Sequence, residues 1–166
     1  FEFNGEMEVI RKTDIPLFGV CGGHQMIAAQ QERTFVQNTG RYHGAYEKDV
    51  KNLMEGDIVP IKIIAPDNLF AGMNDPFYIP KLHSWNICVI PDGFELIATS
   101  TDSKGHVVNE IIKHKNRLII GSQGHPEIST PWSSGKLLLI NFLRLAMAHV
   151  AGKTNGNTPD LQLPMN

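Results

Sequence analysis

The stretch that decides the fold is IPLFGVCGG, residues 15–23. Its first six residues form a short, almost wholly apolar run, which is typical of a strand buried in a parallel sheet. The two glycines after Cys21 predict a tight turn, and residues 24–33 contain good helix formers and no proline. The stretch therefore predicts a strand, a sharp turn and a helix, with Cys21 at the turn.

The turn has the form glycine–x–nucleophile–x–glycine, from Gly19 to Gly23. In such an elbow the nucleophile takes a strained backbone conformation, and small neighbours keep the turn free of clashes. The N-terminus of the following helix favours the reactive thiolate of Cys21. The backbone N–H of Gly22 is then placed to bind an oxyanion. A buried structural cysteine explains the pentapeptide equally well, so the turn alone does not decide its function.

A second motif lies about a hundred residues further on, GSQGHPE at residues 121–127. A cysteine nucleophile needs a histidine to take its proton and a third group to orient that histidine. Pro126 biases His125 toward an extended backbone, so the side chains of His125 and Glu127 are predicted to lie near each other on a loop. Taken by itself, this motif is better interpreted as a solvated turn.

Together the two motifs resemble those of the class I (triad-type) glutamine amidotransferase family. The nucleophile motif of that family is similar to PLFGVCGGHQ, residues 16–25, and its Q-x-H-P-E motif is similar to residues 123–127. Between them, HSWNICVIPDGF at residues 83–94 resembles the family's H-S-x-x-V and P-x-G-F segments. The order of the segments is that of the family, and the resemblance covers roughly residues 8–148.

The resemblance implies a γ-glutamyl thioester on Cys21, with His125 as general acid and base and Glu127 orienting it. It implies glutamine as the substrate, no cofactor, and a synthase domain or subunit that receives the released ammonia. The substrate-binding residues that it implies are Gln25, Ser84 and Trp85.

The sequence departs from the family pattern in two places. Gly124 stands where the family usually has an aromatic residue, which predicts a looser pocket wall. The family also has a first strand and a glycine-rich oxyanion loop before the nucleophile strand. Residues 1–14 are too short for both and contain no Gly-Gly pair, so we expect the first strand and the second oxyanion donor to be missing from them.

The whole pattern predicts an α/β fold: a mixed, mostly parallel sheet flanked by helices, with the nucleophile elbow and without its first strand. Pro60 favours an edge position for the strand that contains it. Residues 1–151 are predicted to form an N-terminally incomplete amidotransferase domain, and residues 152–166 a flexible tail or linker. Beyond the nucleophile strand, strands are predicted at residues 57–65, 82–90, 94–99, 107–114 and 117–123, and the last helix at residues 134–150.

Composition excludes several other classes of protein. The formal net charge is -2 and no basic run occurs, so neither nucleic acid nor an anionic membrane is an expected partner. No apolar stretch is expected to reach the roughly 18 residues of a membrane span. Two cysteines, Cys21 and Cys88, are too few for a disulfide scaffold and favour a reduced, cytoplasmic compartment. The seven histidines show no metal-ligand spacing.

Three functions stay open at this point. The first is glutamine hydrolysis coupled to a biosynthetic acceptor. The second is a stand-alone hydrolase of γ-glutamyl compounds, marked by a larger pocket and no partner. The third is a non-catalytic remnant domain, favoured by the missing upstream strand and opposed by the intact set of Cys21, His125 and Glu127.

Overall fold

The computed structural model describes residues 4–29, 36–38, 59–83, 85–101 and 105–155. Within these ranges the helices are α1 (Asn4–Lys12), α2 (Gly22–Ala29) and α3 (Gly135–Asn155), with a short 3-10 helix at Asn68–Phe70. The strands are β1 (Leu17–Val20), β2 (Val36–Asn38), β3 (Lys62–Ile63), β4 (Trp85–Ile87), β5 (Phe94–Thr101), β6 (Val107–His114) and β7 (Ile119–Ser122).

The central sheet has five strands in the order β1-β7-β6-β5-β3, and β2 pairs with β4 in a separate two-stranded sheet. The predicted mixed sheet flanked by helices is confirmed, but the expectation that most pairing is parallel is wrong for the described strands. Only β1 and β7 run parallel; the other pairs in the sheet are antiparallel. The reason is the short connections from β5 to β6 and from β6 to β7, since a parallel pair needs a longer crossover. The strand after Pro60, β3, lies at the sheet edge as predicted.

Both faces of the central sheet are buried. Successive side chains of a strand point to opposite faces, so neighbouring residues of one strand belong to different apolar clusters. On β6, Ile111 belongs to one apolar cluster and Ile112 to the other. On β7, Ile120 belongs to the same cluster as Ile111, and Ile119 to the same cluster as Ile112. The first cluster includes residues of α3 and the 3-10 helix, and the second includes residues of α1 and α2. The sheet is therefore the middle of three layers.

Residues 4–12 form α1, which the sequence analysis did not predict. An exposed pair at i and i+4, Glu8 and Lys12, lies 2.6 Å apart on its surface. At its C-terminal end the guanidinium of Arg117 donates to the carbonyls of Ile10 at 3.1 Å and Arg11 at 2.9 Å. These bonds satisfy carbonyls that the end of a helix leaves without partners, and they fix α1 to the start of β7.

Several element boundaries differ from the prediction. The strand expected at residues 57–65 is confined to Lys62–Ile63 in its described part. The strand expected at residues 82–90 is confined to Trp85–Ile87 in β4, and residues 82 and 83 before it belong to no strand. The last helix, α3, continues to Asn155, so residues 152–155 of the predicted tail are helical. The remainder of that tail, residues 156–166, lies outside the described residues.

The helix α3 is more apolar than expected. By length and composition, the stretch Gly135–Gly152 is apolar enough to cross a membrane, so the expectation that no stretch reaches this length is wrong. The signal is weak, since a helix packed on a sheet passes the same test. Leu138 and Phe142 are buried in the core, and Asn141 donates to the carbonyls of Leu69 at 3.0 Å and Ala71 at 2.8 Å.

Gly19 gives the first testable prediction. A Cβ at this position would lie 2.6 Å from Ile27 Cδ1 and 2.7 Å from the carbonyl carbon of Gly23, so α2 can pack against β1 only if residue 19 has no side chain. We expect Gly19→Ala to lower the free energy of unfolding by about 1–3 kcal/mol, the usual cost of overpacking. Gly22→Ala is the matched control, because a Cβ there meets no heavy atom within 4 Å. Equal denaturant unfolding curves for the two variants would contradict the prediction.

Candidate active site

Cys21 lies at the turn between β1 and α2 and has a φ of 48°. Among the described residues it is the one non-glycine residue with a positive φ. Such left-handed conformations cost of order 1–3 kcal/mol and persist only when surrounding contacts hold them. Here the N–H of Cys21 donates to Ser122 O at 2.8 Å, and the N–H of Gln25 donates to Cys21 O at 3.1 Å. The geometry is that of the predicted elbow.

The three glycines of the elbow have different roles. Gly19 is required by the close approach of α2, whereas Gly22 and Gly23 have open space where a Cβ would stand. The expectation that small residues prevent clashes in the turn therefore holds for Gly19, whose missing side chain makes room for the backbone of Gly23. It does not hold for Gly22 and Gly23, where a side chain would meet no neighbour. Gly22 is the first residue of α2, and a helix leaves such an N–H without an intrahelical partner. That N–H remains the predicted oxyanion donor.

His125 and Glu127 lie on the loop after β7, and His125 Nδ1 is 2.7 Å from Glu127 Oε1. The side chain of His125 is 19% exposed and that of Glu127 is 50% exposed. The N–H of His125 donates to Pro80 O at 2.7 Å, which fixes the main chain of the loop. With Nδ1 held by the carboxylate, Nε2 is the ring atom left to act on Cys21.

The hydrogen bond with Cys21 is the largest cause that raises the pKa of His125, to about 9. Burial of the ring opposes the rise, and the hydrogen bond and charge of Glu127 add to it. Nε2 is buried, and among the described residues no hydrogen bond of good geometry is made to it. Catalytic hydrogen bonds are often poorly aligned before substrate binds. The raised pKa favours the imidazolium form of His125 at neutral pH.

The segment before β4 forms the opposite wall of the site. Cys21 Sγ lies 3.8 Å from Leu82 O, and the side-chain amide of Gln25 donates to Trp85 O at 2.9 Å. The indole of Trp85 is 44% exposed beside this contact. Of the predicted substrate-binding residues, Gln25 and Trp85 are thus brought together near the thiol, and Ser84 lies outside the described residues. Their role in holding glutamine stays a prediction.

Two histidines near the site are buried and uncharged at neutral pH. Burial is the main cause that lowers the pKa of His24 to about 3, and burial followed by the charge of Lys81 lowers the pKa of His83 to about 4. His24 explains Gly121, because a Cβ at that position would lie 2.5 Å from His24 Nδ1. Neither ring is placed as a second base by these contacts.

The looser wall expected at Gly124 is not observed. A Cβ there would lie 2.6 Å from Ile79 Cδ1 and 3.1 Å from Pro80 O. Ile79 is 3% exposed and belongs to the core. The space beside Gly124 is therefore filled by the neighbouring segment, because the absence of a side chain lets that segment approach closely.

The sequence analysis assigned no role to Gln123, although this residue belongs to the second motif. It is fully buried, and its Nε2 lies 3.9 Å from Cys21 Sγ. Its place two residues before His125, in a motif already quoted, is the signal that could have identified it. Across the described residues, no group of three or more histidine, cysteine or acidic side chains is placed to hold a metal ion.

Comparison with known proteins identifies the family of the chain. The family model "Glutamine amidotransferase class-I" matches residues 2–145. The chain is 32% identical over 139 residues to a glutamine-hydrolyzing GMP synthase subunit of Methanobrevibacter smithii, covering 83% of this chain and 63% of that protein. It is 33% identical over 134 residues to the corresponding subunit of Methanococcus maripaludis, covering 80% and 60%. The chain thus spans somewhat less than two thirds of these relatives.

Solved structures show the same fold. A protein of Thermoplasma acidophilum described as a GMP synthase subunit superposes with a TM-score of 0.71 at 21% identity, covering 92% of this chain and 67% of that one. A glutamine amidotransferase of Thermotoga maritima gives 0.54 at 17% identity, covering 92% and 56%. The chain belongs to the class-I glutamine amidotransferase family.

The pKa of His125 gives the second prediction. An NMR titration should place its imidazole midpoint near pH 9, and Cys21→Ala should lower it more than Glu127→Gln, because the thiol contact is the largest cause. Since the folded-state pKa exceeds the usual 6.5, the stability from these contacts is fully present below about pH 6.5 and is lost as pH rises through about 9. The resonance that is absent from the spectrum of the His125→Gln variant is assigned to His125. A larger change from Glu127→Gln than from Cys21→Ala would refute the assignment.

Proposed function

We propose that this chain hydrolyses the side-chain amide of glutamine through a thioester on Cys21. The observation that carries the proposal is the placement of three groups: the thiol on the strained elbow, His125 within its reach, and Glu127 bonded to the far side of the imidazole. This is the arrangement that nucleophile, base and orienting group require in covalent acyl transfer. Membership of the amidotransferase family supports glutamine as the substrate.

The proposed reaction proceeds in two steps. The Cys21 thiolate attacks the amide carbon, and the N–H of Gly22 stabilises the oxyanion. His125 gives its Nε2 proton to the leaving nitrogen, so ammonia departs and the γ-glutamyl thioester remains. A water molecule then attacks the thioester while His125 accepts its proton. The carbon–sulfur bond breaks, glutamate leaves, and the proton returns to the thiolate–imidazole pair.

We also propose that the acceptor of the ammonia is a synthase domain or subunit. The similarity to the GMP synthase subunits of two archaea makes a synthase of that type the first partner to test. The exposed indole of Trp85 and the side chain of Val89, 47% exposed, give apolar surface next to the site. Aromatic and apolar side chains of this kind are common at the centres of protein interfaces.

The third prediction concerns the nucleophile. A diazo-ketone analogue of glutamine should alkylate Cys21 and not Cys88, although Cys88 is the more exposed thiol. Intact-protein and peptide mass spectrometry of the wild type, Cys21→Ser and Cys88→Ser locate the label. Cys88→Ser should be labelled like the wild type and Cys21→Ser should not react. Labelling of Cys88, or of neither cysteine in folded protein, would overturn the proposal and favour a non-catalytic domain.

The fourth prediction separates the roles of His125 and Glu127. His125→Ala should lower kcat for glutamine hydrolysis by about 10²–10⁴-fold, the usual contribution of a general acid–base group. Glu127→Ala should leave measurable glutaminase activity, because the half-exposed carboxylate only orients the ring and favours its protonated form. Ammonia release in steady state measures both. Undiminished activity of His125→Ala would exclude its role, and a strong preference for γ-glutamyl peptides over glutamine would favour the stand-alone hydrolase.

A further inference from the structure

A buried polar network lies beside the site and takes no part in the reaction proposed above. The ammonium of Lys81 donates to Ser100 Oγ at 2.6 Å and forms an ion pair with the carboxylate of Glu110. Ser100 Oγ in turn donates to Glu110 Oε1 at 2.5 Å. The three residues come from the segment before β4, from β5 and from β6.

All three side chains of the network are almost fully removed from solvent. Lys81 is 5% exposed, Ser100 is 4% exposed and Glu110 is fully buried. The second carboxylate oxygen of Glu110 has no hydrogen-bond partner among the described residues. A buried ion pair is weak evidence for stability, because removing both charges from water costs about as much as their attraction returns. Its presence here therefore points to a role in specifying geometry.

In the sequence, Lys81 lies between Pro80 and Leu82, and the carbonyls of these two residues contact the catalytic groups. Pro80 O accepts the N–H of His125 at 2.7 Å, and Leu82 O lies 3.8 Å from Cys21 Sγ. Residues 78–83 belong to no strand, and their main-chain bonds at Tyr78 O and Pro80 O go to Ser134 and His125 rather than to the central sheet. The side chain of Lys81 thus attaches this part of the segment to the central sheet.

Glu110 also holds the second loop of the site. Its main-chain carbonyl accepts the N–H of Gln123 at 2.8 Å, at the point where β7 leads into the loop of His125. One residue of β6 therefore fixes the Pro80–Leu82 segment through its carboxylate and the catalytic loop through its carbonyl.

We infer that Lys81, Ser100 and Glu110 are positioning residues that set the distance between the thiol of Cys21 and the imidazole of His125. They do so by tethering the segment whose Pro80 and Leu82 carbonyls contact both groups. The inference deepens the proposed function and rests on it for the identity of the reaction. A misplacement of about 1 Å in such a site can cost about a hundred-fold in rate.

The test uses the double variant Lys81→Met/Glu110→Leu in a Cys88→Ser background. Replacing both members of a buried ion pair with apolar residues of similar size is often neutral for stability, whereas Lys81→Met alone would leave an unpaired buried carboxylate. The matched control is Lys113→Met/Asp67→Asn, which removes a partly buried ion pair that involves the same strand. Asparagine keeps an oxygen that can accept the N–H of Leu69, as Asp67 now does.

Two measurements are made on each protein: the rate of alkylation of Cys21 by iodoacetamide from pH 5 to 10, and kcat and KM for glutamine. The test variant should lose about tenfold or more in alkylation rate at pH 7 and in kcat, with a smaller change in KM, because thiolate and imidazolium no longer support each other. The control should stay within about twofold. Ser100→Ala, which keeps the ion pair, should show a smaller loss of the same kind. It replaces the double variant in the test if the double variant does not fold.

Unchanged alkylation and an unchanged pH profile in the folded double variant would overturn the inference, as would equal losses in the control. If the double variant does not fold, an unchanged profile in Ser100→Ala overturns it. Alkylation by iodoacetamide does not depend on glutamine. A wild type that alkylates with the expected pH profile but hydrolyses no glutamine would therefore refute the proposed function while the alkylation series still decides the positioning role.

Discussion

The parallel pairing of β1 with β7 is the constraint on which the site depends. It is the one parallel pair among the described strands of the central sheet. Parallel strands end at the same edge of a sheet, so residues that are about a hundred positions apart in sequence meet there. The pairing continues one residue past the end of β1, where the N–H of Cys21 bonds to O of Ser122, the last residue of β7. That bond holds the elbow and fixes the start of the loop that carries His125.

The local motifs could be predicted from the sequence because their chemistry is local. A glycine–x–cysteine–x–glycine turn after an apolar run and a proline between His125 and Glu127 constrain the backbone within a few residues. The antiparallel majority of the sheet follows from the short connections between β5, β6 and β7, which the sequence does contain. The short β4 and the helix at Asn4–Lys12, in contrast, depend on tertiary contacts that no short window contains. Propensity is a weak guide where such contacts decide.

Other features escaped prediction because they join residues far apart in sequence. The ion pair of Lys81 with Glu110 spans 29 positions, and neither residue stands in a motif. Gly124 was expected to open the pocket, but its effect depends on Ile79, which fills the space from another segment. The site therefore consists of two loops that the sequence predicts, the Cys21 elbow and the His125 loop. Their relative position depends on contacts between residues that are far apart in the sequence. Functional residues can be found from motifs, whereas the residues that position them require the fold.

The backbone conformation of Cys21 has a consequence for how this sequence evolves. Glycine is the residue that a φ of 48° favours most, so a glycine at position 21 would relieve the strain of the elbow. Selection for stability alone would thus tend to remove the thiol. A stability cost retained at one position is the expected mark of selection for reactivity. Drift without that selection should replace Cys21 before it replaces the glycine at position 19, whose removal would disturb the packing of the whole helix.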